Sequence, residues 1–365
     1  MMITQLALHT FRCFDSFTMK HIMPITLIGG KNNSGKSAIL EAVFLAAGYR
    51  NPNIYFALAA GRNGNGTLQA TPQRIWNPLF YNMDKTDSFS IQLIRNEGLN
   101  STLTMKKVED NAASLDINAD TVTNILKQGY NPTTLNRYFY SLQYTCTVGT
   151  EKSIGVFSFE NTKINHVSLS KADKEKNPIL KVLFYKDIYV PDNATIAEWV
   201  SHLILDGDKS ILLQLLQIFD KRIVDITTIV DNKIPYVYVI LTDKQKLPIT
   251  YMGDGINKML QLLLCILTTP QGIVLIDELE NGFHYSVYEN ILHVLYAAAL
   301  QVKCQLFITT HNIDILRESS HVMKKMNALD KLGYQRIDFT KGKRKAYPFS
   351  GEELENALDI EMEVR

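Results

Sequence analysis

The sequence predicts an α/β fold with a mixed or parallel core sheet, and three stretches carry this prediction. An apolar run, Pro24–Ile28, leads through a glycine-rich loop into a helical pattern, Ala38–Ala47. A second apolar run, Ile273–Ile276, ends in two carboxylates, and a third, Cys304–Thr309, ends just before His311. The four consecutive apolar residues Ile273–Ile276 imply a strand covered on both faces, as in a parallel sheet.

Composition and charge restrict the classes of protein to consider. The chain has 365 residues, of which 46% are hydrophobic and 21% charged, and its formal net charge is +1. This size allows one large or two ordinary domains. A charge so near zero gives no overall field that would draw the protein onto nucleic acid or an anionic membrane. The most apolar stretch, Met259–Leu267, is too short to span a bilayer, so no membrane partner is expected.

The cysteines and the N-terminus indicate a compartment. The four cysteines lie far apart without C-x-x-C spacing, so neither a zinc site nor a disulfide framework is predicted: Cys13, Cys146, Cys265 and Cys304. The first residues lack a basic segment followed by an apolar run, so no signal peptide is expected. A reducing, cytoplasmic setting is therefore the prediction.

The glycine-rich loop fits G-x-x-x-x-G-K-[ST], the Walker A pattern, between a predicted strand and a predicted helix. Its glycines allow the backbone to wrap around phosphate oxygens, and the following helix turns its positive N-terminal end toward them. The pattern predicts that Lys36 reaches the β and γ phosphates and that Ser37 offers a hydroxyl to Mg²⁺. The candidate nucleotide-binding residues are Gly30, Lys31, Asn32, Asn33, Ser34, Gly35, Lys36 and Ser37.

The carboxylates after Ile276 are the candidate catalytic acids. Burying carboxylates at a strand end is unfavourable unless a cation receives them. We therefore predict that Asp277 holds Mg²⁺ and that Glu278 activates the attacking water as general base. The alternative is a solvated acidic turn that includes Glu280. A parallel sheet would place the end of the third strand beside the phosphates, so His311 is predicted to contact the γ-phosphate.

Two further segments are candidate anion sites. The turn Gly253-Asp254-Gly255 directly precedes an apolar helix, and a helix N-terminus attracts anions; it is also an ordinary turn sequence. Arg12 lies among aromatic residues in Phe11-Arg12-Cys13-Phe14. It is either a surface arginine packed on its apolar neighbours or a phosphate contact.

The rest of the sequence predicts a single domain over residues 1–365. Short strands between 88 and 190, with helical material near 120–129, indicate an antiparallel β-subdomain in an N-terminal lobe, 1–170. A helical insertion follows at 191–220, and a C-terminal lobe spans 221–365. Residues 51–84 read as a loop-rich stretch. The basic segment 341–345 is expected either to meet a nucleic-acid backbone or to form a hairpin strand that pairs with the acidic helix after it.

Four motifs together carry a family resemblance: GKNNSGKS, MGDG, LIDELENG and ITTH. With them the chain resembles P-loop ATPases with an ABC-type head, of the SMC and overcoming-lysogenisation-defect (OLD) type. It most resembles compact bacterial and archaeal "ATP/GTP phosphatase" AAA proteins. The likeness covers about residues 1–100 and 190–365, including the ending YPFSGEELENALDIEMEVR. From the residues given, neither coiled-coil arms nor a Toprim-like nuclease domain is expected.

The resemblance implies ATP and Mg²⁺ as cofactors and a head-to-tail homodimer, with higher oligomers left open. The Gly253-Asp254-Gly255 turn of one subunit would cap ATP on the other, although Gly253 stands where related proteins have Ser. Arg12 matches a Phe-Arg pair used near the phosphates in such heads. The glutamine that usually binds Mg²⁺ is not assigned, and Gln92 and Gln143 are candidates.

The leading hypothesis is an ATPase that dimerises on ATP and drives a separate effector, a nuclease or toxin, in anti-phage defence or a DNA-linked stress response. The alternative is a DNA-binding clamp for repair or recombination that grips through residues 341–345. A transporter motor is disfavoured by the atypical turn at Gly253. A GTPase is disfavoured because no N-K-x-D motif occurs, although the preference between ATP and GTP stays open.

Overall fold

The computed structural model describes residues 2–63, 72–83, 86–96, 98, 100–108, 141–160, 163–168, 180–186 and 191–360. The strands are β1 Ile3–Phe11, β2 Phe14–Met19, β3 Ile25–Gly29, β4 Ser88–Arg95, β5 Ser101–Val108, β6 Ser141–Val148, β7 Glu151–Glu160, β8 Lys163–Ser168, β9 Val182–Tyr185, β10 Ile223–Asp231, β11 Ile234–Leu241, β12 Lys246–Pro248, β13 Ile273–Ile276, β14 Gln305–Thr309, β15 Leu332–Thr340 and β16 Lys343–Ser350. The α-helices are α1 Lys36–Gly48, α2 Pro52–Asn63, α3 Pro72–Trp76, α4 Asn193–Leu205, α5 Lys209–Phe219, α6 Asp254–Leu267, α7 Tyr288–Gln301, α8 Ile313–Lys325 and α9 Gly351–Asp359.

The chain divides into two compact units, and the division falls inside the glycine-rich loop. The first unit consists of Met1–Ile22, Asn33–Leu180 and Ile337–Tyr347, and the second of Met23–Asn32, Lys181–Arg336 and Pro348–Arg365. The lobe boundaries predicted from the sequence stay a prediction.

The first unit contains the predicted antiparallel sheet, in the order β2-β1-β4-β5-β6-β7-β8. Strand β4 shows the alternation of such a sheet, because Phe89, Ile91 and Leu93 are buried on one face while the residues between them are more exposed. Aromatic rings fill the buried face: Tyr55 packs against Phe157 with 4.6 Å between ring centroids and against Trp76 at 5.6 Å. The antiparallel subdomain is therefore confirmed. The helical material predicted near 120–129 lies outside the described residues.

The prediction of a loop-rich stretch over residues 51–84 is wrong for Pro52–Asn63 and Pro72–Trp76, which form α2 and α3, while residues 64–71 and 84 lie outside the described residues. Pro52 begins α2, where its missing N–H costs no helical hydrogen bond. Ile54, Tyr55 and Leu58 are buried and lie on one helical face. The glycines at 61, 64 and 66 suggested a loop, but this apolar spacing just before them is sufficient for a helix.

The second unit is organised around parallel strands in the order β15-β3-β14-β13-β9, with β16 beside β15 at the end of the sheet. Every residue of β3, β13 and β14 is buried, so these strands are covered on both faces and the predicted parallel core is confirmed. Because the strands run parallel, the residues that follow β3, β13 and β14 emerge at the same edge of the sheet.

Helices and a small sheet complete the second unit. The predicted helical insertion is confirmed as α4 and α5, and Asp192 caps α4 by accepting a hydrogen bond from the Thr195 N–H at 2.8 Å. Strands β10, β11 and β12 form an antiparallel sheet. The run Met259–Leu267 is buried in α6. No helix in the described ranges is long and apolar enough to cross a membrane.

Candidate functional site

The glycine-rich loop leaves the buried strand β3 and enters α1, as the sequence predicts. Gly35 precedes the helix with φ +105°, in the region that favours glycine. A Cβ at this position would lie 2.6 Å from the Phe14 ring and 3.0 Å from Cys13 Sγ. The loop therefore lies directly on the residues between β1 and β2, and only glycine fits there.

The start of α1 fits a bound anion. No side chain caps this helix and its first turn contains no acidic residue, so the partial positive charge of the N-terminus is not offset locally. The side chain of Ser34 is 1% exposed, and its Oγ has no hydrogen-bond partner among the described residues. A buried hydroxyl without a partner costs free energy, and a phosphate oxygen would satisfy it. Lys36 is also buried, with 5% exposure.

The carboxylate of Asp277 follows β13 and is held from both sides. Asp277 Oδ1 accepts a hydrogen bond from Thr309 Oγ1 at 2.7 Å, and Oδ2 lies 3.0 Å from Lys186 Nζ. Thr309 ends β14 and Lys186 follows β9, the two strands that flank β13. The side chain of Asp277 is 4% exposed. The cation that a buried carboxylate requires is thus supplied in part by Lys186.

Glu278 and His311 approach each other at the same edge of the sheet. Glu278 Oε1 lies 3.3 Å from His311 Nε2, and Glu278 Oε2 accepts a hydrogen bond from the Asn281 side chain at 2.9 Å. The Glu278 N–H donates to Thr309 Oγ1 at 2.8 Å, and the His311 N–H donates to Glu280 Oε1 at 2.6 Å. Both side chains remain partly exposed, 43% for Glu278 and 35% for His311, so water can reach them.

The backbone at Glu278 is strained, with φ +52°. A side chain other than glycine adopts this region at a cost and usually where a site requires it. Here the conformation turns the chain directly after the buried Asp277, so that one carboxylate is enclosed and the next reaches solvent. The alternative of a fully solvated acidic turn does not describe Asp277.

The turn Gly253-Asp254-Gly255 begins α6, and Gly253 and Asp254 are exposed. Lys258, one turn further along α6, donates a hydrogen bond to the Asn281 carbonyl oxygen. Its ammonium group also lies 5.1 Å from the centroid of the Phe283 ring. The start of α6 is therefore connected, through Asn281, to the segment that carries Glu278.

Arg12 has a buried partner. Its Nε lies 2.9 Å from Glu41 Oε2, with both side chains at most 4% exposed, and its Nη1 donates to the Pro78 carbonyl at 2.8 Å. The arginine is thus not a solvated surface residue. Its predicted contact with phosphate stays a prediction. The two candidate magnesium glutamines, Gln92 and Gln143, lie within β4 and β6 of the antiparallel sheet.

Several residues of the site were not predicted: Lys186, Thr309 and Asn281. Lys186 and Thr309 stand at the carboxyl ends of β9 and β14, and that position is a usable sequence signal once the strands are assigned. Asn281 lies in LIDELENG, but nothing about an asparagine at that position predicts a contact with Glu278.

Each of the two predicted magnesium ligands, Ser37 and Asp277, is by itself an oxygen donor of the kind that Mg²⁺ binds. Among the described residues no three His, Cys, Asp or Glu side chains form a ready-made metal cluster. Mg²⁺ is, however, commonly held by one or two protein oxygens together with waters and substrate phosphates. Ser37 and Asp277 offer such hard oxygen ligands and stay the predicted pair.

Comparisons with known proteins agree with this architecture. The family model described as "AAA ATPase domain" matches residues 1–199, and a model described as "AAA domain, putative AbiEii toxin, Type IV TA system" matches residues 158–317. An "ATP/GTP phosphatase" of Helicobacter pylori is 21% identical over 353 residues, covering 88% of this chain and 89% of that protein.

One solved structure shows the fold. The SmcHead in its complex with the C-winged helix domain of ScpA has a TM-score of 0.50 and 13% identity, over 98% of this chain and 99% of that one. The SMC head domain of Thermotoga maritima has a TM-score of 0.45 and 12% identity, over 96% and 99% of the two chains. The first likeness supports an SMC-head-like P-loop fold, and the "AAA ATPase domain" model covers more than half of the sequence. The chain belongs to the AAA ATPase domain family and has a fold like that of an SMC head.

Proposed function

We propose that this ATPase binds ATP with residues 30–37 and hydrolyses it with Glu278 as general base. The observation that carries the proposal is the pair of consecutive carboxylates with different surroundings. Asp277 is buried against Thr309 and Lys186, whereas Glu278 reaches solvent between His311 and Asn281. The enclosed environment suits the carboxylate that holds Mg²⁺, and the solvent-accessible one suits the carboxylate that activates water.

The proposed reaction follows from these positions. Glu278 takes a proton from water, the water oxygen bonds to the γ-phosphorus, and the bond from that phosphorus to the bridging oxygen of ADP breaks, which releases phosphate. Lys36 and the N–H groups at the start of α1 stabilise the phosphate charge, and His311 contacts the γ-phosphate. Mg²⁺, held by Ser37 and Asp277, would neutralise charge on the β and γ oxygens.

We further propose that two copies associate head to tail on ATP. The exposed turn Gly253–Gly255 begins a long helix, and such a helix N-terminus suits a phosphate held by another copy. The Lys258 contact with Asn281 connects this turn to the Glu278 segment. Contact with a partner's nucleotide would therefore influence the general base. Arg12 is included as a phosphate contact on the basis of its Phe-Arg motif alone.

The proposed output is control of a separate effector, a nuclease or toxin, in anti-phage defence or a DNA-linked stress response, in the cytoplasm. The matched model whose description names an AbiEii toxin and a type IV TA system supports a role of this kind. An SMC head is also bound by a second protein, the winged helix domain of ScpA, in its solved structure.

A DNA-binding clamp is the second candidate. Lys341, Lys343 and Lys345 are exposed around the β15–β16 turn and would meet a phosphate backbone. The test is the salt dependence of duplex binding after Lys341, Lys343 and Lys345 are changed to Glu. Unchanged affinity, or none at the outset, would remove this candidate.

Steady-state phosphate release tests the main proposal. Lys36→Ala and Glu278→Gln should each lower magnesium-dependent turnover by about 10²-fold or more, as is usual when a catalytic group is removed. Asp206→Asn removes an exposed carboxylate after α4 and should change nothing. Turnover that survives both site substitutions would exclude the mechanism.

Light scattering tests the proposed dimer. With ATP and Mg²⁺, the Glu278→Gln protein should have twice the 41.4 kDa mass of the chain. A monomer saturated with ATP would exclude the dimer.

A further inference from the structure

Arg344, in strand β16, makes three hydrogen bonds to backbone carbonyls at and beneath the phosphate loop. Its Nε donates to the Ser34 oxygen at 3.1 Å, its Nη2 to the Asn33 oxygen at 3.3 Å, and its Nη1 to the Cys13 oxygen at 2.6 Å. The prediction that this basic segment pairs with the acidic helix α9 is therefore wrong for Arg344. In that helix Glu355 pairs instead with Lys324 of α8.

Two aromatic rings lie against the Arg344 guanidinium group. The centre of the group lies 4.4 Å from the centroid of the Phe339 ring in β15 and 5.8 Å from that of Phe14. Phe14 is also the ring that lies against Gly35. The same aromatic residue thus supports both the loop and the arginine that holds the loop, within one compact unit.

The contacts of Arg344 with the two carbonyls also determine where the neighbouring N–H groups of the phosphate loop point. A trans peptide is planar, and its C=O and N–H point in opposite directions. When the Asn33 and Ser34 carbonyls point toward Arg344, the N–H groups of Ser34 and Gly35 in the same peptides point away from it. Anion-binding loops work by presenting successive N–H groups to one side. Without Arg344 the two carbonyls would be free to rotate toward the side where phosphate binds.

We propose that Arg344 is a positioning residue of the phosphate loop, which orients the Ser34 and Gly35 N–H groups for nucleotide phosphate without touching the nucleotide. This role rests on the proposed nucleotide binding by residues 30–37. It depends on the planar, forked guanidinium group and not on its charge, because an ammonium group on a flexible stem cannot serve three carbonyls and stack on Phe339 at the same time.

The first test is hydrogen–deuterium exchange of the nucleotide-free protein. In Arg344→Lys and Arg344→Met, the N–H groups of residues 30–37 should exchange about tenfold faster or more, while peptides from α6 and α7 stay unchanged and report an intact fold. Lys343→Met and Lys345→Met change exposed neighbours on the same strand and serve as matched controls. Unchanged exchange in the loop of Arg344→Lys, the milder variant, would overturn the proposal.

The second test is ATP affinity, measured by calorimetry on the same proteins. If the loop adopts its phosphate-binding conformation for only a fraction of the time, the apparent Kd equals the intrinsic Kd divided by that fraction. Both Arg344 variants should therefore bind ATP about tenfold more weakly, whereas Lys343→Met and Lys345→Met bind normally. Normal affinity in Arg344→Lys together with weak binding in Arg344→Met would mean that charge suffices, and would overturn the proposal. Absence of ATP binding by the unaltered chain would instead refute the proposed function, while the exchange result still decides the role of Arg344.

Discussion

Glu278 Oε1 lies 3.3 Å from His311 Nε2, although the two residues belong to segments that follow different strands of the core sheet. The Thr309 hydroxyl fixes this relationship, since it accepts a hydrogen bond from the Glu278 N–H and donates one to Asp277. The spacing of the acid and the imidazole is thus determined by the pairing of β13 with β14. In the proposed mechanism His311 acts on the γ-phosphate from this position.

Replacement of His311 should impair turnover more than substrate binding. His311→Ala should lower kcat by about 10²-fold with little change in KM, because a group that stabilises only the transition state affects kcat. The measurement is steady-state ATP hydrolysis at saturating Mg²⁺. His321→Ala, an exposed histidine in α8, is the control. A rise in KM with kcat unchanged would assign His311 to ground-state binding instead.

Lys186→Met should destabilise the nucleotide-free protein. It removes the Lys186 ammonium group from the buried Asp277 carboxylate, and breaking such a pair costs about 3–5 kcal/mol when both groups are buried. Because Lys186 is 22% exposed, we expect a smaller loss of about 1–3 kcal/mol, read from urea unfolding.

Lys209→Met is the matched control for Lys186. The Lys209–Asp225 pair has a similar distance, 2.6 Å, but its side chains are 31% and 38% exposed. A surface pair contributes about 0–1 kcal/mol. An equal loss of unfolding free energy in Lys186→Met and Lys209→Met would contradict the conclusion that the burial of Asp277 makes its ion pair the stronger one.

The Arg12–Glu41 pair should show strong coupling in a double-mutant cycle. Arg12→Met or Glu41→Leu alone removes one member of this buried ion pair and should cost about 3–5 kcal/mol. The double variant should cost clearly less than the sum of the two. Urea unfolding supplies the free energies.

Nucleotide affinity separates the two interpretations of Arg12. If the arginine only supports α1, the double variant should recover ATP affinity together with stability. If Arg12 contacts phosphate, as its motif predicts, affinity stays low in the double variant. Additive effects on stability would contradict the ion pair itself.

The four thiols should differ sharply in reactivity. Burial raises the pKa of Cys265 to about 12 and that of Cys304 to about 12, and burial also raises the pKa of Cys146. A thiol with a pKa near 12 is only about one part in ten thousand thiolate at pH 8, and thiolate is the reactive form. Cys13 alone is not fully buried.

A disulfide reagent at pH 8 should therefore give one fast phase in the folded protein and release all four thiols in denaturant. Cys13→Ser should remove the fast phase. Because Cys13 Sγ lies beneath Gly35, bound ATP should slow this phase. A fast phase that persists in Cys13→Ser would contradict the burial of the other three cysteines.

The sequence alone was sufficient for the parts of the protein that local chemistry determines. The run that became β13 is wholly apolar and the runs that became β3 and β14 are mostly apolar, as is typical of strands buried on both faces. The loop at 30–37, the acids after Ile276 and His311 could be read from residue type and spacing. The helix α2 was missed because the glycines in and after its last turn outweighed a short apolar spacing.

Tertiary structure decided the contacts between residues that are distant in sequence. Lys186 meets Asp277, Arg12 meets Glu41, and Arg344 meets Ser34. Periodicity reports which face of an element is buried, but it does not report which element covers that face. The order β15-β3-β14-β13-β9 therefore had to be observed before Lys186 could be placed beside Asp277. The sequence thus determined the chemical groups of the site, and long-range packing decided which of them are buried, paired and held in position.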